Sequence, residues 1–184
     1  MKLPRPNSRE KILAAAADVA REAGPGSLSL EAVALRAGVS KGGLLYNFPT
    51  KAKLMQGLVE RYMSEFEQAL EALRADNREN ESLLSSYIRL SAQECQAPKP
   101  SASWIFSAIA EDPEFLTPIK GFHRQLFERL KAQTRDTRAL LICYLAIEGM
   151  RSMNLFNSDV LSDEERRTLI AALLAIAEPS DTPL

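Results

Sequence analysis

Residues 28–51 read LSLEAVALRAGVSKGGLLYNFPTK, and this stretch decides the fold. The pattern predicts a short helix, a tight turn, a second short helix and, after a break, the start of another helix. Gly38 is suited to the left-handed conformation that closes a helix, and Ser40 is suited to capping the next helix with its hydroxyl. Two short helices joined by a glycine-containing turn form a helix-turn-helix, whose second helix can enter the major groove of DNA.

The flanking sequence supports this unit with further helices. Upstream, Asn7 and Glu10 have the spacing of a capping box, and an amphipathic helix follows them. Downstream, apolar residues recur every four positions and predict a long helix over 51–73. Further helices are predicted over residues 83–95, 101–110, 119–132, 139–156 and 164–177. No stretch has the alternation of a convincing strand, so the predicted fold class is all-α.

The predicted domains are a helix-turn-helix DNA-binding domain at 1–50 and a second helical domain at 51–184, which begins with the linking helix 51–73. Charge follows a similar division. Residues 1–60 carry nine Lys and Arg against five Asp and Glu, whereas the remainder carries 14 against 19. The basic N-terminal third is therefore suited to phosphates, although the whole chain has a net charge of -1.

Several classes of protein are disfavoured by composition. No apolar run reaches the ~18 residues that a membrane span requires. The N-terminus also lacks the features of a secretory signal, so we expect a cytoplasmic protein. Catalytic motifs such as G-x-S-x-G and H-E-x-x-H are absent and there is one histidine, so we do not expect an enzyme. Cys95 and Cys143 lie in apolar helical patterns and are interpreted as buried structural thiols, with a redox or ligand-contacting role as the alternative.

The last two helices predict a homodimer. Residues 139–147, ALLICYLAI, are apolar on every face, and a helix of this kind must be covered all round. Two such helices from each of two subunits would form a four-helix interface, while the alternative is that both helices are interior. The predicted interface residues are Leu140, Cys143, Ile147, Met150, Leu169, Ile170, Leu173 and Leu174.

These residues together resemble the tetracycline-repressor (TetR) family of bacterial transcriptional regulators. Residues 38–51, GVSKGGLLYNFPTK, fit the family pattern G-V-S-x-x-x-L-Y-x-x-F-x-x-K. The matching positions are Gly38, Val39, Ser40, Leu44, Phe48 and Lys51. The chain departs from the pattern at Leu45, where the family often has a phosphate-contacting tyrosine; Tyr46 follows and is a substitute for it. The resemblance covers residues 8–60 and implies a repressor that binds a double-stranded DNA operator.

Candidate DNA contacts lie on and beside the second helix of the motif. Lys41 can reach guanine or a phosphate, Asn47 can contact adenine or a phosphate, and Tyr46 offers a hydroxyl to a phosphate. The resemblance implies a phosphate contact by Lys51. The full predicted set is Ser29, Ser40, Lys41, Gly42, Gly43, Tyr46, Asn47, Thr50 and Lys51.

Alternatives stay open for several of these positions. Ser29 and Thr50 are equally suited to capping helices. The consecutive Gly42 and Gly43 favour close approach to DNA, with crowding against a neighbouring helix as the alternative. Arg5, Arg9 and Arg36 are better interpreted as solvated surface than as DNA contacts.

The resemblance further implies a small-molecule effector held by the C-terminal helices, with an apolar or aromatic character. The predicted effector residues are Trp104, Phe106, Phe122, His123, Phe127, Tyr144, Glu148 and Arg151. Glu148 and Arg151 are three residues apart on a helix and most simply pair with each other. No metal or other cofactor is expected, because a lone histidine is a poor metal site. A regulator without a small effector, or an activator, is the alternative function.

Overall fold

The computed structural model describes residues 8–22, 28–76, 81–96, 112–156 and 158–178 of the 184-residue chain. Within these ranges there are eight α-helices, one short 3-10 helix at Pro113–Leu116 and no strand, as the predicted all-α class requires. The helices are α1 (Ser8–Glu22), α2 (Leu30–Ala37), α3 (Lys41–Asn47), α4 (Lys51–Asp76), α5 (Leu83–Gln96), α6 (Thr117–Gln133), α7 (Thr137–Leu155) and α8 (Asp163–Ala177).

Most helix bounds agree with the sequence prediction within a few residues. The main difference is α4, which runs three residues beyond the predicted end at residue 73. Pro118 lies in the first turn of α6, where a proline is tolerated because its missing N–H would have no partner in the helix. The predicted cap Asn7 and the predicted helix at 101–110 lie outside the described residues.

The described chain divides into two compact units. The first unit contains the residues up to Ser64 and residues 112–120, whereas the second contains Glu65–Gln96 and the residues from Gly121 onwards. The boundary between the two compact units therefore lies inside α4, whereas the predicted domain boundary is at residue 50. The reason is that Leu54, Met55 and Val59 of α4 belong to the core of the first unit.

The core of the first unit fixes the positions of α2 and α3. Ile12 of α1, Val33 of α2, Leu44 of α3 and Leu54 of α4 are all completely buried in it. A bulkier residue than glycine would not fit at Gly57, where an added Cβ would lie 2.9 Å from Cε1 of Phe48. The first turns of α4 therefore pack closely beneath the end of α3.

The second unit is built around α5, whose Leu84, Tyr87 and Ile88 are buried. The second part of α4 contributes Phe66 and Leu70 to this core. The remaining core residues come from α6, α7 and α8 and include Leu126, Leu130, Leu140, Cys143, Ile147, Met150 and Leu173. Cys95 and Cys143 are both buried and reduced, as the interpretation as structural thiols requires.

Five of the eight predicted interface residues are wrong. Four of them lie on one face of α7 and the fifth lies on α8. Leu140, Cys143, Ile147, Met150 and Leu173 lie inside the core of their own subunit, so a second subunit cannot contact their side chains. Leu169, Ile170 and Leu174 are half-buried and pack against the same core. The error has a simple cause, because a helix that is apolar all round gives no signal for which face turns inward.

A different face of α7 remains uncovered. Leu141, Ile142 and Leu145 are exposed on the side of α7 opposite the core residues, and Leu145 is 65% exposed. On α8 the exposed positions include Ala171, Ala172, Ala175 and Ile176. We call these seven residues the outer face of α7 and α8.

Candidate nucleic-acid interface and effector site

The turn between α2 and α3 has the geometry that the sequence predicts. Gly38 has φ 66° and ψ 33°, in the left-handed region that favours glycine. The N–H of Val39 donates to the carbonyl of Ala34 at 3.0 Å, and the N–H of Gly38 donates to the carbonyl of Leu35 at 3.2 Å. These two hydrogen bonds form a Schellman motif, which ends α2 and directs the chain into α3.

Three hydroxyls cap the helices of the first unit. Ser29 accepts a hydrogen bond from the N–H of Ala32 at 3.0 Å, and Ser40 accepts one from the N–H of Gly43 at 3.0 Å. Thr50 caps α4 by accepting from the N–H of Lys53 at 3.1 Å. The capping role of all three residues is thus directly observed, and contact with DNA stays a prediction for each.

The outward side of α3 carries the predicted DNA contacts. Tyr46 is 89% exposed and projects from the helix, so its hydroxyl is open to a ligand. The side-chain amide of Asn47 instead donates to the carbonyl of Gly43 at 2.8 Å, one turn earlier in α3. This hydrogen bond orients the side chain of Asn47 and uses one of the two N–H groups of its amide, so a second donor and the amide oxygen remain for a base or a phosphate.

The two lysines beside the turn differ in their surroundings. Nζ of Lys41 lies 2.7 Å from Oε1 of Glu31, so an ion pair connects the first residue of α3 with the first turn of α2. The ammonium of Lys41 lowers the pKa of the Glu31 carboxyl by donating a hydrogen bond to the carboxylate and by direct attraction. Lys51 has no ion pair within the part of the chain that the structure describes. Its charge is consequently available to a phosphate without breaking an internal contact.

The paired glycines of α3 are not required by packing. An added Cβ at Gly42 would meet only the hydroxyl of Ser40, at 3.9 Å. At Gly43 it would lie 3.3 Å from the same hydroxyl and 3.9 Å from Cβ of Val39. Both neighbours belong to the turn that precedes α3, so the alternative of crowding against a neighbouring helix is wrong.

The weaker arginine candidates are held by carboxylates. Arg36 forms a two-pronged ion pair with Glu22, which joins α2 to α1. Arg9 lies 3.7 Å from Glu60, and its guanidinium lies 5.2 Å from the centre of the Phe48 ring. Both arginines thus have structural contacts at the surface, whereas Arg5 lies outside the described residues.

Four of the predicted effector residues meet in the second unit around one carboxylate. Glu148 accepts a hydrogen bond from the hydroxyl of Tyr87 at 2.8 Å and one from Arg151 at 3.3 Å. Nδ1 of His123 lies 3.7 Å from Oε2 of the same carboxylate and 3.2 Å from the hydroxyl of Tyr144. The prediction that Glu148 and Arg151 pair with each other is confirmed.

A further acidic residue, which is not among the predicted effector residues, joins the polar cluster formed by Tyr87, His123, Tyr144, Glu148 and Arg151. Glu94 of α5 lies 2.7 Å from Arg151, and its contact holds the guanidinium between two carboxylates. The pairing of Arg151 with Glu148 is visible in the sequence because both lie on one helix. The contact with Glu94 joins residues 57 positions apart, and no local pattern could have indicated it.

Aromatic rings enclose the polar cluster. Tyr87 and Tyr144 stack with ring centres 5.8 Å apart, and Phe127 meets Tyr144 edge-on at 5.1 Å. Phe122 is in edge contact with His123 at 5.7 Å. The structure therefore brings together six of the eight predicted effector residues, while Trp104 and Phe106 lie outside the described residues.

Burial controls protonation in this cluster. Burial raises the pKa of Tyr87 well above its ordinary value, and the Glu148 charge acts in the same direction. Burial, reinforced by the Glu148 charge, raises the pKa of Tyr144 to about 12. Burial also lowers the pKa of His123, against the opposing attraction of Glu148. Burial thus favours the neutral forms of His123, Tyr87 and Tyr144 in the cluster.

No group of three or more His, Cys, Asp or Glu side chains among the described residues is arranged to hold a metal ion. No helix among those residues is long and apolar enough to cross a membrane.

Comparison with known proteins matches both the N-terminal and the C-terminal part of the chain to known protein families. Residues 12–58 match the family described as bacterial regulatory proteins, tetR family. Residues 81–178 match the family described as tetracyclin repressor-like, C-terminal domain. Members of this family are DNA-binding transcription factors rather than enzymes.

Individual relatives agree with this assignment. The HTH-type transcriptional repressor BepR of Brucella suis biovar 1 is 28% identical over 170 residues, which cover 92% of this chain and 76% of BepR. Among solved structures, the multidrug binding protein EbrR complexed with malachite green has a TM-score of 0.66 at 19% identity, covering 95% of this chain and all of that one.

A second solved structure confirms the fold. SCO1917 of Streptomyces coelicolor A3, a TetR-family member, has a TM-score of 0.68 at 20% identity, covering 91% of this chain and 98% of that one. At such identities the two structures establish the fold alone, whereas the family matches cover the helix-turn-helix and most of the C-terminal region. The chain therefore belongs to the TetR family of bacterial transcriptional regulators.

Proposed function

We propose that the protein is a homodimeric repressor that binds a pseudo-palindromic operator and leaves it when a small molecule binds the second unit. The observation that carries this proposal is the outward side of α3. It presents Lys41, Gly42 and Tyr46 to solvent, while Leu44 anchors the helix in the core of the first unit. A recognition helix held in this way can enter the major groove without disturbing the core.

On DNA, the residues divide by chemistry. Lys51 and Tyr46 are assigned to phosphates, which fix the position of the protein without reading sequence. Lys41 is assigned to base edges, because it starts the recognition helix. Gly42 and Gly43 allow the backbone of α3 to lie against the DNA, since no neighbouring helix lies against either position.

A second copy of the chain is the proposed cover for the outer face of α7 and α8. Three large apolar side chains of α7 are exposed there, and such a contiguous patch is typical of an interaction surface. The exposed alanines of α8 would let helices of two subunits approach closely. A two-fold axis through this interface places one helix-turn-helix on each half-site of the operator.

The effector is proposed to bind at the polar cluster of the second unit. Glu148, Arg151, His123 and Tyr144 offer donors and acceptors, and the surrounding rings offer apolar contact area. An effector releases DNA only by binding better to the conformation that binds DNA poorly. The single helix α4 runs through both compact units, so it is the proposed connection between the two sites.

Selection of bound duplexes from a random pool tests the DNA-binding part. The purified protein is mixed with the pool at low ionic strength, and retained duplexes are sequenced over several rounds. We expect a palindromic motif with a fixed half-site spacing. Recovery of no enriched sequence would contradict the proposal.

Thermal unfolding with a panel of compounds tests the effector part. Malachite green and imidazole, the compounds in two EbrR complexes, are the first probes. A ligand of the folded protein raises the melting temperature. The same ligand must then weaken operator binding. By reciprocity, operator must weaken binding of the ligand by the same factor. A stabilising compound that leaves operator affinity unchanged would contradict its role as an effector.

A further inference from the structure

An ion pair lies where the recognition helix begins. Glu31 is in the first turn of α2 and Lys41 is the first residue of α3, and their Oε1 and Nζ atoms are 2.7 Å apart. Both side chains are more than half exposed. The pair joins the two helices of the motif across their outer surface, so any DNA that meets the start of α3 also meets the Glu31 carboxylate.

Stability does not explain this pair. An exposed ion pair contributes little to folding, because water screens the attraction and two long side chains lose freedom. The turn is already fixed by the hydrogen bonds around Gly38, and α3 is anchored by the buried Leu44. The helix dipole favours a carboxylate in the first turn of α2, but it does not require the contact of Glu31 with Lys41.

A carboxylate at a DNA-binding surface faces a polyanion and weakens binding unless it receives a hydrogen bond. The major groove offers such a donor at cytosine, through the N4 amino group. In the same base pair, guanine O6 is hydrogen-bonded to that amino group, so the two atoms lie about 2.9 Å apart. This spacing matches the separation of the two charged atoms in the Glu31–Lys41 pair.

We infer that Glu31 and Lys41 together read one G·C base pair in each half-site. Lys41 donates to guanine O6 and N7, while Glu31 accepts from cytosine N4 and keeps its contact with Lys41. The neighbouring Gly42 has no side chain that could stand between the pair and a base edge. Glu31 is thereby a specificity-determining residue, and this inference rests on the proposed function.

The test compares duplexes selected from one random pool by the wild-type protein and by Glu31→Gln. In the wild-type motif we expect one G·C pair per half-site at which replacement by A·T lowers affinity about tenfold or more. Glu31→Gln should lose most of this discrimination at that position and keep the preferences elsewhere. Lys41→Ala should lose it at the same position, and the double variant should be no worse than Lys41→Ala.

Glu60→Gln is the matched control. Like Glu31→Gln, this substitution removes one exposed carboxylate from the first unit. Glu60 is paired with Arg9 and lies 13 residues after the end of α3 in the sequence. The control should retain the wild-type base preferences. Melting temperatures of all variants establish that each is folded at the temperature of selection.

Two results would overturn the inference while leaving the proposed function intact. In the first, Glu31→Gln selects the wild-type motif with the same strength at every position. In the second, it binds all duplexes more tightly by one common factor, which would make Glu31 a general electrostatic restraint. A wild-type protein that enriches no duplex would instead overturn the proposed function and the inference together.

Discussion

Lys51 and Lys41 illustrate how much a residue's role depends on its neighbours. Both are lysines beside the helix-turn-helix, and the sequence assigns both to DNA. The structure separates them, because Lys41 is paired with Glu31 and Lys51 has no ion pair among the described residues. We therefore expect Lys51 to strengthen binding to every duplex and Lys41 to affect which sequence is preferred.

Replacement of Lys51 by alanine should weaken binding to all duplexes alike. Lys51 of each subunit contacts a phosphate in the proposed dimer, so the variant loses two phosphate contacts, and the slope of log K against log salt should become shallower by about 1.8. Affinity measured over a salt series for the selected duplex and a random duplex gives both quantities. Lys53→Ala is the control, since Lys53 is an exposed lysine of the same helix. An unchanged slope for Lys51→Ala would remove the phosphate assignment.

Gly42→Ala should stabilise the protein and weaken its binding to DNA. An added Cβ meets no neighbouring helix there, so the expected gain is about 0.5–1 kcal/mol in the free energy of unfolding. On DNA the same Cβ would hold the backbone of α3 away from the bases. Denaturant titration and operator affinity are the measurements. Gly121→Ala is the matched control, because this helical glycine also has open space around it.

That control should gain stability without losing affinity. If Gly42→Ala binds operator as tightly as the wild type, the close approach of α3 to DNA is disproved.

His123 should make stability depend on pH. Burial lowers its pKa below the ordinary 6.5, so below that pH the unfolded chain binds more protons than the folded one. The free energy of unfolding should therefore fall as the pH decreases from about 7.5 to about 5.5. His123→Gln should show a smaller fall, since it removes this group and retains an acceptor for Tyr144. Urea titrations at both pH values measure the difference. Equal pH dependence in the two proteins would contradict the assignment.

At the scale of single residues, the sequence predicts what is local. The caps Ser29, Ser40 and Thr50 and the left-handed Gly38 each depend on a few adjacent residues, and all four are observed. The Glu31–Lys41 pair depends on the angle between two helices. The spacing of ten residues in the sequence gives no indication of it.

At the scale of elements, α7 shows the limit of pattern reading. The run ALLICYLAI correctly predicts a helix that needs cover on all sides. Which face lies inward is decided by contacts with α5 and α8, so the sequence assigned residues of the core to the predicted interface. The same pattern still implies that the outer face needs a cover.

Leu145→Glu should convert the dimer into a monomer. Leu145 lies on the outer face of α7, where a dimer interface would bury an unpaired carboxylate at a cost of several kcal/mol. Light scattering gives the molecular mass, and far-UV circular dichroism checks that the helices persist. Val160→Glu is the control, because Val160 is an exposed apolar residue outside the helices.

Leu140→Ala complements this test. Leu140 is completely buried in its own subunit, so the variant should lose about 2–5 kcal/mol of stability through the cavity it leaves. A dimeric Leu145→Glu protein would contradict the proposed interface.

At the scale of the whole molecule, the chain has two compact units, to which we have assigned different proposed partners. The helix-turn-helix could be predicted because its caps, its turn and its anchoring Leu44 lie within residues 28–51. The polar cluster could be predicted only in part, since Tyr87 and Glu94 lie on α5, whereas their partners Glu148 and Arg151 lie on α7. Regulation requires that occupancy of the cluster changes the spacing of two recognition helices in a dimer.

The spacing between half-sites tests the central claim most directly. Competition binding compares the selected operator with the same operator carrying five extra base pairs between its half-sites. Five base pairs rotate one half-site by about half a turn of DNA, away from the face that the second subunit can reach. We predict that affinity for the altered operator falls to about the level of random DNA. Equal affinity for the two operators would contradict a dimer that places two recognition helices on one face of the duplex.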